Sequence, residues 1–401
     1  MKEIIMHIDV NNAFLSWTAV DLLNKGSKYD IRGSYAVIGG DESKRRGIVV
    51  AKSIPCKKLG IKTAETLYSA RKKCPALTVY PANYTFYKQM SDAMFTLISK
   101  YTPDIEILSI DECFIDYTKV RNLYGDPLSF AYKLKDEIEK TLGFTVNIGI
   151  GENKLCAKMA SDFEKPNKVH TLFKEEVENK LWPLPVGELY GVGKRSTEKL
   201  HKLGIYTIFD LAHADENELY KYFKNNAHHF IESANGRNTS PVVSEKTEAK
   251  GISNSTTLEK DYTNTKDIYA VLLSLCENVV HALHKQNKYA MVVAVQMKDK
   301  FFKSFSHQKK MVNAVSTTEE VYAICKNLFK ELWKGEPIRL LGVRLDQLIE
   351  NPHYQVSLFE DVREVEGSKV LEETIFQLKE KYGKTIIKKG MDQKIHKKYN
   401  E

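Results

Sequence analysis

The stretch Ile105-Glu106-Ile107-Leu108-Ser109-Ile110-Asp111-Glu112-Cys113-Phe114-Ile115-Asp116-Tyr117 sets two apolar runs, 105–110 and 113–117, on either side of an adjacent pair of acids. Runs of this kind with β-branched residues read as strands, and a tight hairpin or a bent strand would carry Asp111 and Glu112 between them. Upstream, Ile4-Ile5-Met6-His7-Ile8 is another buried-strand pattern and ends at Asp9, so a further carboxylate stands at a strand end. Downstream, a helical period over 128–142 leads into a strand at 145–151 and a helix at 154–163. Strands are also expected at 34–38 and 47–51, and helices at 12–23, 65–73 and 84–101. This order predicts a split βαβ sheet with helices on one face.

The chain has 401 residues and a formal charge of +8, with 42% hydrophobic and 28% charged residues, an ordinary globular composition. The length predicts about two to four domains. No apolar run reaches the roughly 18 residues of a membrane span, and residues 1–7 lack the basic and long apolar regions of a signal peptide, so a cytoplasmic protein is expected. Cys56, Cys74, Cys113, Cys156, Cys276 and Cys325 are scattered without a C-x-x-C or regular spacing, which suggests neither a disulfide framework nor a zinc site; they are expected as reduced core residues. The close histidine pairs, His228 with His229 and His281 with His284, have no ligand partners at metal spacing. Beyond the α/β half, the pattern breaks at Lys165-Pro166-Asn167, a small helical domain runs to about Gly236, and the polar stretch 238–248 reads as a linker. A second α/β unit runs to about Leu348, followed by a tail; its end, 379–398, holds eight lysines and two acids.

Three carboxylates, Asp9, Asp111 and Glu112, would meet at one sheet edge if their strands are neighbours. Side-by-side negative charges are costly unless divalent cations sit among them, and hard oxygens suit Mg²⁺, which takes remaining ligands from water and substrate phosphates. Two such ions would stabilise the attacking 3′ hydroxyl and the leaving pyrophosphate of a nucleotidyl transfer. Judged alone, acids at strand ends are commonly turn residues or helix caps. Lys165 stands where a compact charge could reach a triphosphate, or where a helix end is merely solvated, and Phe14 could lie under a nucleotide sugar or simply pack in the core.

The segments His7-Ile8-Asp9-Val10-Asn11-Asn12-Ala13-Phe14, Ser109-Ile110-Asp111-Glu112-Cys113-Phe114, and Gly149-Ile150-Gly151-Glu152-Asn153-Lys154-Leu155-Cys156-Ala157-Lys158 through Lys165-Pro166-Asn167 together resemble the palm motifs of Y-family translesion DNA polymerases in order and spacing, and the likeness covers nearly all of residues 1–360. The resemblance implies an α/β multidomain protein: a ferredoxin-like palm (1–23 and 77–166), fingers (24–76), a helical helix-hairpin-helix thumb (167–237), a linker (238–248), an α/β little finger (249–348) and a tail (349–401). It implies two Mg²⁺ ions held by Asp9, Asp111, Glu112 and the Val10 carbonyl, with Phe14 as steric gate and Lys165 on the triphosphate. Primer-template DNA and deoxynucleoside triphosphates would be the partners of a monomer acting in lesion bypass and the SOS response. The fingers run Ala51-Lys52-Ser53-Ile54-Pro55-Cys56-Lys57-Lys58-Leu59-Gly60 departs from the commonest family pattern, which has a Thr, a Tyr and an Arg here. Lys57 replaces the Arg as a charge without its bidentate fork, which makes the chain look more like the UmuC-type branch than the DinB type.

Gly191-Val192-Gly193-Lys194-Arg195 resembles a helix-hairpin-helix, whose backbone N–H groups bind DNA phosphate; it is not a Walker loop, because Glu188 stands where that loop requires glycine. A plain glycine turn is the alternative. Between Lys285 and Lys310 seven lysines, Lys298, Lys300 and Lys303 among them, face a single acid and are interleaved with aromatics, which points to a DNA-gripping sheet face. Gln355-Val356-Ser357-Leu358-Phe359 resembles the bacterial sliding-clamp-binding motif, with Gln355, Leu358 and Phe359 as the docking residues. Two rival functions use the same features. A nucleotidyl cyclase also places acids on a split βαβ sheet, and Gly39-Gly40-Asp41-Glu42 superficially matches its signature, although Ser43 stands where an aromatic is expected. A non-catalytic DNA- or clamp-binding protein would have kept the fold without needing Asp9, Asp111 and Glu112.

Overall fold

A computed structural model of the chain describes residues 2–42, 45, 47–245, 248–350, 362–383 and 386–387. They form two units, Met1–Gly40 with Gly47–Lys246, and Asp41–Arg46 with Thr247–Glu401. The first unit contains strands β1 (Ile5–Val10), β2 (Ala36–Gly39), β3 (Val49–Lys52), β4 (Thr78–Tyr80), β5 (Ile105–Ile107), β6 (Glu112–Asp116), β7 (Val146–Gly151) and β8 (Val169–Leu172). Its helices are α1 (Ala13–Asn24), α2 (Ile54–Lys58), α3 (Leu67–Lys73), α4 (Tyr84–Ser99), α5 (Arg121–Tyr124), α6 (Pro127–Leu142), α7 (Lys154–Asp162), α8 (Lys194–Lys202), α9 (Ile208–Ala212), α10 (Glu216–Phe223) and α11 (Asn226–Ala234).

The larger sheet runs β5-β6-β1-β7-β8, antiparallel except for the β7–β8 pair. β1 is central, so every one of its residues is buried. Alternation sends Met6, Ile8 and Val10 to one face, where they pack with Ile115, Ile148 and Ile150 beneath side chains of α4 and α6 such as Met94 and Leu134. Ile5, His7 and Asp9 face the other way. On that side β7 reads Val146-Asn147-Ile148-Gly149-Ile150-Gly151, and a Cβ on Gly149 would lie 2.0 Å from the Ala157 carbonyl oxygen and 2.3 Å from Ser161 N. Only glycine admits α7 so close. Helices were expected on one face alone; the bare glycine stripe corrects this, because it lets α7 cover the second face.

The acid-bearing segment is a hairpin. Leu108 N and Ser109 N both donate to the Glu112 carbonyl, at 3.1 and 3.3 Å, so β5 stops at Ile107 instead of running to 110, Asp111 lies in the turn, and Glu112 opens β6. β8 extends the sheet beyond residue 166, and β4 joins β3-β2-β4 beyond residue 76; both strands are too short to show a period in the sequence. Helices α8–α11 close around Val192, Leu200, Ile208, Leu211 and Phe230. The polar stretch read as linker is fastened at its start, since Lys154 donates to the Pro241 carbonyl at 3.2 Å and Val243 N donates to Glu106 at 2.9 Å.

The second unit has β9 (Gly251–Tyr262), β10 (Tyr289–Asp299), β11 (Ser304–Val315) and β12 (Ile338–Ile349) in the order β11-β10-β12-β9, all antiparallel. Helices α12 (Thr265–His284) and α13 (Thr318–Leu332) bury Leu272, Val279, Leu328 and Phe329 against it, and α14 (Val362–Tyr382) follows. The six cysteines are free and buried, as expected. No described helix is long and apolar enough to cross a membrane.

Candidate active site and nucleic-acid interface

The two acid-bearing strands are direct neighbours. Asp9 is the register partner of Glu112 in the β1–β6 pair, and Val10 N donates to the Asp111 carbonyl at 3.0 Å. Each carboxylate already has a partner. Lys165 and Asp9 form an ion pair, Lys165 also lies 2.8 Å from Asp162, and Lys158 meets Glu112 at 2.6 Å. The Asp111 carboxylate accepts from the Ser109 hydroxyl at 2.6 Å. The β1–β6 register thus brings Asp9 opposite Glu112 with the Asp111 main chain beside Val10, and the Asp111 side chain is engaged by Ser109. Among the described residues, no three His, Cys, Asp or Glu side chains form a ready cage.

The donor chemistry still fits hard divalent cations. Carboxylate oxygens and a main-chain carbonyl from Val10 are the ligands such ions take, one or two protein carboxylates each with the rest from phosphate and water. The ammonium groups of Lys165 and Lys158 show where positive charge is wanted. Burial pushes the Asp9 carboxyl above its ordinary range, although Lys165 pulls it down. The Glu112 carboxyl is held down to about 2, by His7 first and then by Lys158 against the cost of burial.

Beneath Glu112, His7 is fully buried, with Nε2 3.3 Å from the carboxylate and Nδ1 2.8 Å from Ser161 Oγ. Burial lowers its pKa. His7, Lys158 and Ser161 were not singled out from sequence. Their trace is there, since Lys154, Lys158 and Ser161 recur at helical spacing and give α7 a polar face toward the sheet.

Phe14, on the first turn of α1, is half-buried and stacks on Tyr87 at 4.9 Å and 16°. Lys57 is exposed on α2. Lys52, at the end of β3, donates to Thr63 at 3.0 Å, and burial together with Lys57 lowers its pKa. Gly191 has φ 93°, a left-handed turn that suits glycine, and Gly193 caps α8, leaving Lys194 and Arg195 exposed on its first turn. Lys298, Lys300 and Lys303 share the β10–β11 hairpin end. Gln355, Leu358 and Phe359 lie outside the described residues. Gly39-Gly40-Asp41-Glu42 begins at the end of β2 in the small sheet, not in the sheet that carries Asp9, which removes the geometric basis of the cyclase reading.

Residues 8–162 match the family model described as impB/mucB/samB, residues 249–358 match that family's C-terminal domain, and 174–205 match its HHH motif. The chain is 45% identical over 392 residues to a DNA polymerase IV of Clostridium acetobutylicum, covering 98% of both chains. The chain belongs to the Y family of DNA polymerases. Another relative of this Y-family chain is DNA polymerase IV 1 of Bacillus subtilis, 34% identical over 97% of this chain and 93% of that one. The fold is similar to that of a solved Y-family DNA polymerase chimera, with a TM-score of 0.76 and 25% identity over 87% of this chain and all of that one. These likenesses identify the palm, fingers, thumb and little finger arrangement. They also correct the lean toward the UmuC-type branch: the whole-length relatives bear the name DNA polymerase IV, and a DinB from Sulfolobus solfataricus is among the structural neighbours. The fingers substitutions are a local change within the DinB type.

Proposed function

We propose that this chain is a template-directed DNA polymerase of the low-fidelity lesion-bypass type, with Asp9, Asp111, Glu112 and the Val10 carbonyl holding two Mg²⁺ ions. The observation that carries the assignment is the β1–β6 register, which sets Asp9 opposite Glu112. When bound, such ions polarise the triphosphate and lower the pKa of the attacking 3′ hydroxyl. The protein's own groups do the rest. Lys165 leaves Asp9 for the triphosphate, joined by Lys57 on the fingers. Phe14, braced by Tyr87, closes the space that a ribose 2′ hydroxyl would need. The Gly191–Gly193 turn with Lys194 and Arg195, and the hairpin lysines Lys298, Lys300 and Lys303, hold DNA phosphates without reading sequence.

The domain limits proposed are palm 1–23 with 77–166, fingers 24–76, thumb 167–237, linker 238–248, little finger 249–348 and tail 349–401. Gln355, Leu358 and Phe359 would tether a monomer to the bacterial sliding clamp in the cytoplasm, as part of the SOS response. The test is primer extension: Asp111→Ala and Glu112→Ala each abolish nucleotide addition while primer-template binding is retained. Extension at the normal rate by either variant would remove the two-metal assignment.

A further inference from the structure

The turn between β10 and β11, Asp299-Lys300-Phe301-Phe302-Lys303, displays two adjacent phenylalanines, 78% and 63% exposed. Single exposed phenylalanines need no explanation, but this pair is held out by construction. Asp299 is buried, and its carboxylate accepts the N–H of Phe301 at 2.8 Å and of Lys303 at 2.9 Å, while its carbonyl accepts from Phe302 N at 3.1 Å. Phe302 itself has φ 67°, a left-handed conformation in which a bulky side chain is disfavoured and glycine would be at ease. An aromatic kept where the backbone favours glycine points to a use for the ring.

Cations lie against the rings. Lys300 Nζ is 5.0 Å from the centre of Phe301, the Arg339 guanidinium is 4.6 Å from that of Phe302, and Lys303 Nζ is 5.0 Å from that of Phe305. The turn's one acid is spent on main-chain N–H groups, so the tip is positively charged. Phe301 and Phe302 thus each have a cation near one side and most of the ring in solvent. This chemistry suits a polyanion that also carries flat apolar faces, namely unpaired nucleic acid. Duplex DNA keeps its bases stacked inside and offers the tip only phosphates, for which lysines alone suffice.

We propose that Phe301 and Phe302 form a stacking platform for unpaired bases of single-stranded DNA, with Lys300, Lys303 and Arg339 on the strand's phosphates. This rests on the DNA polymerase reading, because a polymerase's template is single-stranded ahead of the primer end. The test uses the full-length chain and three labelled probes: an oligothymidylate, an abasic strand of the same length, and a blunt duplex, with anionic phosphatidylserine vesicles as a fourth arm. F301A/F302A is expected to weaken oligothymidylate binding by roughly 5-fold or more for each ring, leaving the abasic strand, duplex and vesicles unaffected. F301L/F302L, which keeps apolar bulk without an aromatic face, is expected to behave like the alanine pair. Undiminished oligothymidylate binding, equal losses on the abasic strand, full binding by the leucine pair, or a loss confined to vesicles would each overturn the platform. A wild-type chain that bound neither duplex nor single strand would instead undo the polymerase reading itself.

Discussion

Glu112 lies between His7, at 3.3 Å, and Lys158, at 2.6 Å, and these hold its carboxyl at about 2 against an ordinary 4.5. A folded-state value below the unfolded one makes the carboxylate stabilising above about pH 4.5, and the contribution is lost as pH falls toward 2. Its size is on the order of 3 kcal/mol. In urea titrations of the metal-free protein, Glu112→Gln is therefore expected to lower stability at pH 7 and to flatten its decline over that acid window. A variant curve parallel to the wild type would mean that the pair contributes nothing. Much of this site was legible in the sequence, because Asp9, Asp111 and Glu112 announce themselves as acids at the ends of apolar runs. The side chains that restrain them were not. His7 sits within an apolar run and looks like core, and its contact with Ser161 spans 154 positions, a separation no local pattern records. Lys52 is hidden in the same way: the departure of the fingers run from the family's Thr, Tyr and Arg is visible in the sequence, but the charge of Lys52 near Lys57 gains meaning only once β3 and α2 are placed.

At the scale of elements, α7 connects the fold to the chemistry. Its Lys158 and Ser161 reach Glu112 and His7 because Gly149 lets the helix backbone touch the sheet. The period of the Ile148 and Ile150 face was readable as a strand, and the glycines alternating with it could have been read as a seat for a helix. Gly149→Ala puts a methyl 2.0 Å from a backbone oxygen, which no side-chain rotation relieves. Overpacking of this kind typically costs about 1–3 kcal/mol, and here it also displaces the Lys158 ammonium from Glu112 and the Ser161 hydroxyl from His7. The expected outcome is a lower Tm together with a primer-extension rate that falls by more than the loss of folded protein at the assay temperature explains. A rate that tracks only the folded fraction would show that α7 serves stability alone.

Across the whole molecule, the net charge of +8 is small for a protein that must hold a polyanion, so the grip depends on where cations are placed. The second unit concentrates Lys298, Lys300 and Lys303 at one hairpin end, where Asp299 is the only acid between them and is turned inward. The sequence showed this as a run of lysines; the strand pairing Lys298 with Ser304 makes it one site by folding the run back on itself. If each lysine neutralises one phosphate, each releases close to one counterion, and the logarithm of affinity falls with the logarithm of salt by about 0.9 per contact. Replacing all three by glutamine is then expected to reduce the magnitude of that slope by roughly 2–3 for duplex primer-template DNA. The loss of affinity should be large in dilute salt and shrink as salt rises, because the missing term is the release of ions. Equilibrium titrations at several potassium chloride concentrations give the slope directly. An unchanged slope with uniformly weaker binding would place the contacts elsewhere and leave the hairpin lysines as solvated surface.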